Sequence, residues 1–231
     1  MQERLCPLVR IEGKTTVKRT LTTLSIAGVI GAASVTTQAV AATTPAQTYS
    51  GTGWSIFANY LDAGTWKIEW YDSATRTAVK PYAKLTSANL KAATGTTFTV
   101  TDTIRKTTAD CPAYHTIVIR LDAATTRSHS AFCLNADRGQ TSSSVVLAKS
   151  SWSTTLHQGT HENYRRHVVS HELGHAAGMG HAVTCSCNPQ PLMRGDRWGG
   201  YGQTSYADNY TPQDLAGFKA LIANRTRTAV R

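Results

Sequence analysis

The chain has 231 residues and a mass of 24.9 kDa, enough for one or two domains. With 41% hydrophobic and 16% charged residues it holds the apolar material for a core, which excludes a disordered chain, and seven prolines exclude collagen-like sequence. The 24 Lys and Arg exceed the 14 Asp and Glu, for a formal charge of +10. These basic residues are scattered and form no stripe interleaved with aromatics, so no nucleic-acid partner is expected.

Lys14, Lys18 and Arg19 precede a mildly apolar run from Leu21 to Val35, and Ala39-Val40-Ala41 follows. A basic region, an apolar region and an A-x-A site read as a secretory leader, 1–41, whose removal near Ala41 yields a secreted, extracellular chain. Val17-Lys18-Arg19 would be an ordinary start of such a leader if Val17 were a GTG start codon. The apolar run is short and diluted by Thr22, Thr23, Ser25 and Ser34, so no stable membrane insertion is expected once the leader is gone. Residues 42–65 read as a flexible N-terminus, and 66–231 as the folded domain, expected to be a monomer.

Trp66 to Tyr71 alternates like a strand. Val79 to Ala93 reads as a helix, with Pro81 near its start and Gly95 after its end. Thr97–Thr101 is β-branched and aromatic, hence a strand, and the continuous apolar run Thr116–Leu121 suits a buried strand. Ser130–Leu134 is expected to be an exposed edge strand bordering a cleft, and Ser144–Ala148 a further strand. A helix is predicted over Tyr164–Ala177, with Asn163 as N-cap and Gly178 after its end. An irregular segment over 182–210 precedes a last helix opened by Thr211-Pro212-Gln213-Asp214, with a Thr N-cap and Pro at the first helical position. This order predicts an α+β (α/β-like) fold.

Outside the leader the cysteines are Cys111, Cys133, Cys185 and Cys187. An even count in an exported chain implies two disulfides, and four cysteines allow three connectivities. Cys111–Cys133 with Cys185–Cys187 is the pairing expected, because the first bond would join neighbouring strands. Metal binding by the Cys-x-Cys pair competes with the second bond, and the oxidising compartment argues against it.

The chemistry concentrates in His171-Glu172-Leu173-Gly174-His175. Positions i and i+4 share one helical face, so both imidazoles reach one ion. The pattern extends through Gly178 to His181, and a glycine at the helix end adopts positive φ and swings the chain back, which makes His181 the third ligand. Five fixed residues at this spacing arise by chance on the order of once in ten million start positions. Three imidazoles and one open position make a catalytic zinc site. Glu172, next to His171, is placed as a general base rather than a ligand.

The run His171–His181 resembles the metzincin clan of zinc endopeptidases, closest to matrixin-like secreted bacterial proteases. The resemblance implies a twisted mixed, mostly parallel sheet with a backing helix and an active-site helix, and a small irregular C-terminal subdomain ending in a helix. It implies one catalytic Zn2+ and a protein or peptide substrate hydrolysed by zinc-activated water. Met193 in Pro191-Leu192-Met193-Arg194 matches the methionine turn that such enzymes carry beneath the metal, and Asp214 matches an aspartate that holds this turn. No calcium-loop signature is visible, which leaves structural calcium undecided, and Gly195 stands where some branches have a metal-reaching tyrosine. Tyr201, Tyr206 and Tyr210 are candidates to line the pocket, and His167, one turn before His171, is a candidate outer-shell or alternative ligand. Two other readings compete: an exported metal-binding or adhesive module with little turnover, and a zinc amidase acting on cell-wall peptides.

Overall fold

The computed structural model of the chain describes residues 8–10, 54–56, 60–152, 161–182, 191–194 and 209–228. In chain order the strands are β1 (Leu8–Arg10), β2 (Trp54–Ile56), β3 (Tyr60–Leu61), β4 (Thr65–Trp70), β5 (Thr97–Ile104), β6 (Thr116–Asp122), β7 (His129–Leu134), β8 (Gly139–Ala148) and β9 (Met179–Ala182). The α-helices are α1 (Ser73–Thr94), between β4 and β5, α2 (His161–Ala176), and α3 (Pro212–Thr228). The fold is α+β with a mixed, mostly parallel sheet. All described residues belong to one compact unit of the chain, Met1–Ile11 with Ala46–Arg231.

Among the described residues seven strands form one sheet in the order β1-β7-β8-β6-β4-β5, with β3 beside the start of β8. The neighbours β8/β6, β6/β4 and β4/β5 are parallel, whereas β7 runs antiparallel to both β8 and β1. Strand β6 is central, and its buried run Ile117-Val118-Ile119 suits a parallel strand covered on both faces. In β4, Trp66 and Ile68 are buried while Lys67 between them is exposed, which is the period of two expected of a pleated strand.

Helix α1 packs against β4 and β5, and α2 against β7 and β8. The buried face of α1 runs through Val79, Ala83, Thr86 and Leu90, at the three- and four-residue spacing of a helix laid on a core. Thr86 reaches α2 through a buried hydroxyl contact with Ser170, 2.8 Å between oxygens. Helix α1 starts earlier than its sequence pattern predicts, because Asp72 caps it by accepting the Thr75 N–H at 2.7 Å. Pro81 therefore sits inside the helix. At the other end Gly95 takes φ +70° and donates to the Lys91 carbonyl at 2.8 Å.

Several expectations are corrected. Ser130–Leu134 is not an exposed edge: the segment is buried and β1 pairs along its outer side, with Arg10 opposite Ala131 and Leu8 opposite Cys133. Asn163 lies within α2, which begins at His161, so it is not the N-cap. The folded unit begins before residue 66, since Tyr60–Leu61 pairs with β8 and Trp54–Ile56 pairs with β9 in a second, two-stranded sheet. The Cys111–Cys133 disulfide is present, but it ties the β5–β6 connection to β7 rather than two neighbouring strands. Its sequence separation of 22 residues corresponds to about 3 kcal/mol of loop-closure stabilisation. Cys185, Cys187 and the Ala41 processing site lie outside the described residues. No helix among the described residues is long and apolar enough to cross a membrane.

Candidate metal centre

Helix α2 carries the first two ligand candidates. It ends at Ala176, where the Ser143 hydroxyl donates to the Ala176 carbonyl at 2.9 Å and the Gln140 amide also donates to that oxygen. Two side chains of β8 thus satisfy a helix-end carbonyl that has no partner within the helix. Gly178 then takes φ +101° and its N–H donates to the His175 carbonyl at 2.8 Å. This left-handed residue turns the chain into β9, which carries His181 back toward the helix.

The three imidazoles converge. His175 Nε2 lies 3.0 Å from His171 Nε2 and 3.0 Å from His181 Nε2, and the ligand atoms of all three lie within 4.8 Å of one another. Zn–N bonds of about 2.0–2.1 Å in a tetrahedral site put neighbouring nitrogens roughly 3.3 Å apart, so the donor set fits an ion of that kind. The opposite ring nitrogens are held by backbone. His171 Nδ1 donates to the Leu192 carbonyl at 2.8 Å and His175 Nδ1 to the Met179 carbonyl at 2.7 Å. With Nδ1 protonated, the Nε2 lone pairs of both rings face the shared point. Burial pushes the His171 imidazolium well below its usual range, and His175 falls to about 3, from burial and then repulsion by His181. Both rings are therefore neutral ligands at physiological pH. This His171–His175–His181 cluster can hold a metal ion.

Glu172 stands beside the cluster without joining it. Its carboxyl is buried, and burial pushes it up to about 8, against the downward pull of the Ser130 hydrogen bond. Ser130 Oγ lies 2.9 Å from Glu172 Oε2 and 2.8 Å from the Glu172 carbonyl oxygen. Such a group sits close to the pH at which it would have to take up and release a proton.

Met193 lies beneath the helix. A Cβ placed on Gly174 would collide with Met193 Sδ, so the glycine in the motif is what lets the methionine approach. The Met193 carbonyl accepts the Ala182 N–H at 2.7 Å, which joins the turn to β9. Asp214 holds the turn from α3: its carboxylate accepts the N–H groups of Leu192 at 3.0 Å, Met193 at 3.1 Å and Thr211 at 2.7 Å, and the Thr211 hydroxyl at 2.7 Å.

Tyr210 packs against α2 at Ser170 and Gly174. It is buried, its hydroxyl donates to the Ser170 carbonyl at 2.9 Å, and its ring meets Phe218 edge-on at 4.9 Å. Tyr201 and Tyr206 lie outside the described residues. His167 stacks on His171, with ring centroids 6.0 Å apart, and is not one of the converging donors. Sequence reading does not find the roles of Ser130, of the Leu192 and Met179 carbonyls, or of Gln140 and Ser143. The carbonyls carry no side-chain signal at all, and polar residues in a strand look the same whether they face solvent or a helix end.

No family model matches the chain, and no curated protein does.

Proposed function

We propose that the protein is a secreted zinc endopeptidase of the metzincin type. The observation that carries this reading is the convergence of three imidazoles with a buried glutamate that adjoins the first ligand on the same helix but is not among the donors. Three imidazole nitrogens suit zinc, a common partner of such donors, with a fourth position open to water or substrate. Zinc bound there would supply Lewis acidity, lowering the pKa of its water toward ~7 and polarising the scissile carbonyl. Glu172 takes the proton of the attacking water and hands it to the departing amine. Leu192 and Met179 keep two imidazoles oriented through their carbonyls, and Asp214 keeps the Leu192–Met193 turn in place.

The test is zinc content and hydrolysis of casein and of a purified wall peptide, measured on the same preparations with and without a chelator. His175→Ala should lose both zinc and activity. Glu172→Gln should keep near-stoichiometric zinc and lose at least ~10²-fold in rate, the scale of a positioned acid–base group. Full activity of Glu172→Gln would overturn the mechanism. Turnover of the wall peptide alone would reassign the protein as an amidase, and zinc without turnover of either would make it a binding module.

A further inference from the structure

We propose that Ser130 is a positioning residue for Glu172: one hydroxyl on β7 holds the carboxyl that would move the proton. This rests on the endopeptidase reading. Ser130 is 1% exposed, and its Oγ meets two oxygens of the same residue 42 positions away, Oε2 at 2.9 Å and the carbonyl at 2.8 Å.

A serine hydroxyl has one hydrogen to donate and lone pairs to accept with. Here it donates to Oε2 of Glu172 and lies within reach of the carbonyl of the same residue, so one side chain ties the carboxyl to its own backbone. That bond spans 42 residues of sequence and fixes the carboxyl against β7. An apolar residue at this position would remove it, and a buried carboxyl that loses a partner is costly.

Misplacement of a proton-moving group by about 1 Å can cost roughly 10²-fold in rate, so loss of this anchor reads out in kcat.

The experiment compares the secreted, zinc-loaded protein with Ser130→Ala and Ser130→Thr. Ser130→Ala should keep its zinc and its KM for a peptide, lose about 10–100-fold in kcat, and show the Glu172 carboxyl in more than one orientation in the crystal. Ser130→Thr retains the hydroxyl and should recover most of kcat and the single orientation. In a Glu172→Gln background, Ser130→Ala should cause little further loss, because the proton-moving group is already gone. Should Ser130→Ala not fold, Ser130→Cys, of similar size but a weak donor, carries the same expectations. The proposal is overturned if Ser130→Ala keeps kcat, if threonine does not restore it, or if Glu172 stays in one orientation without the hydroxyl. A wild-type protein that hydrolyses no peptide would refute the endopeptidase reading, and the crystallographic comparison would still decide whether Ser130 orients Glu172.

Discussion

Asp214, in the first turn of α3, accepts the backbone N–H of Met193 at 3.1 Å across 21 residues of sequence. The same carboxylate holds Leu192, whose carbonyl in turn accepts from His171 at 2.8 Å. One buried side chain thus fixes a turn with no regular structure of its own and, through it, the orientation of a metal ligand.

Asp214→Ala leaves buried N–H groups of Leu192, Met193 and Thr211 without their acceptor. Loss of stability of at least about 2 kcal/mol is expected from unsatisfied donors to a charged group. Zinc affinity should fall about 10–100-fold, the usual effect of removing a partner that orients a ligand. Thermal unfolding and competition with a chromophoric chelator measure the two. Unchanged zinc affinity would show that the turn does not govern His171.

Gly174→Ala sets two effects against each other. Alanine gains about 1 kcal/mol in helix propensity over glycine. Its Cβ, however, collides with Met193 Sδ in a closely packed interior, and overpacking costs about 1–3 kcal/mol. The collision should win, so the melting temperature is expected to fall. In a Met193→Ala background the obstacle is gone, and Gly174→Ala should become neutral or stabilising. A loss of stability that is equal in both backgrounds would refute the packing account.

The metal-free protein should be most stable near pH 6.5. His175 drops from 6.5 to about 3 on folding, and His171 is also depressed, so below pH 6.5 the unfolded chain binds protons that the folded chain refuses. Stability from these groups is present above 6.5 and lost as the pH falls. Glu172 moves the other way, from 4.5 to about 8, so the folded chain holds the extra proton between these values. Its contribution is present below 4.5 and lost as the pH rises to 8. Between 4.5 and 6.5 two histidines outweigh one glutamate, and above 6.5 the glutamate acts alone. Melting temperatures of chelator-treated protein across pH 4–9 check this, and Glu172→Gln should remove the alkaline decline. A flat profile in wild type would show that these groups do not sense folding as their burial implies.

Much of the candidate site is legible in the residues themselves. The spacing of His171, His175 and His181 around Gly178 implies the convergence that the structure holds. Thr211 and Asp214 announce the start of α3, since capping depends on neighbours three residues apart. The strands from β4 to β8 are visible from apolar alternation or continuous β-branched runs, although β5 and β8 extend further than those runs. The start of α1 is less visible, because Asp72 precedes a stretch with few apolar residues and the apolar period begins only at Val79.

What the sequence determined by itself is local: helix spacing, turn glycines, capping residues and the identity of three imidazole donors. These follow from interactions over a few residues, whose geometry the backbone repeats wherever it occurs. The tertiary structure decided the rest. It placed Ser130 against Glu172, Ser143 against the end of α2, Asp214 under Met193 and Leu8–Arg10 along β7. Each of these pairs joins segments far apart in the chain. A hydroxyl, a carboxylate or a strand edge will take any complementary partner, and only the packing of the sheet and helices selects which one arrives.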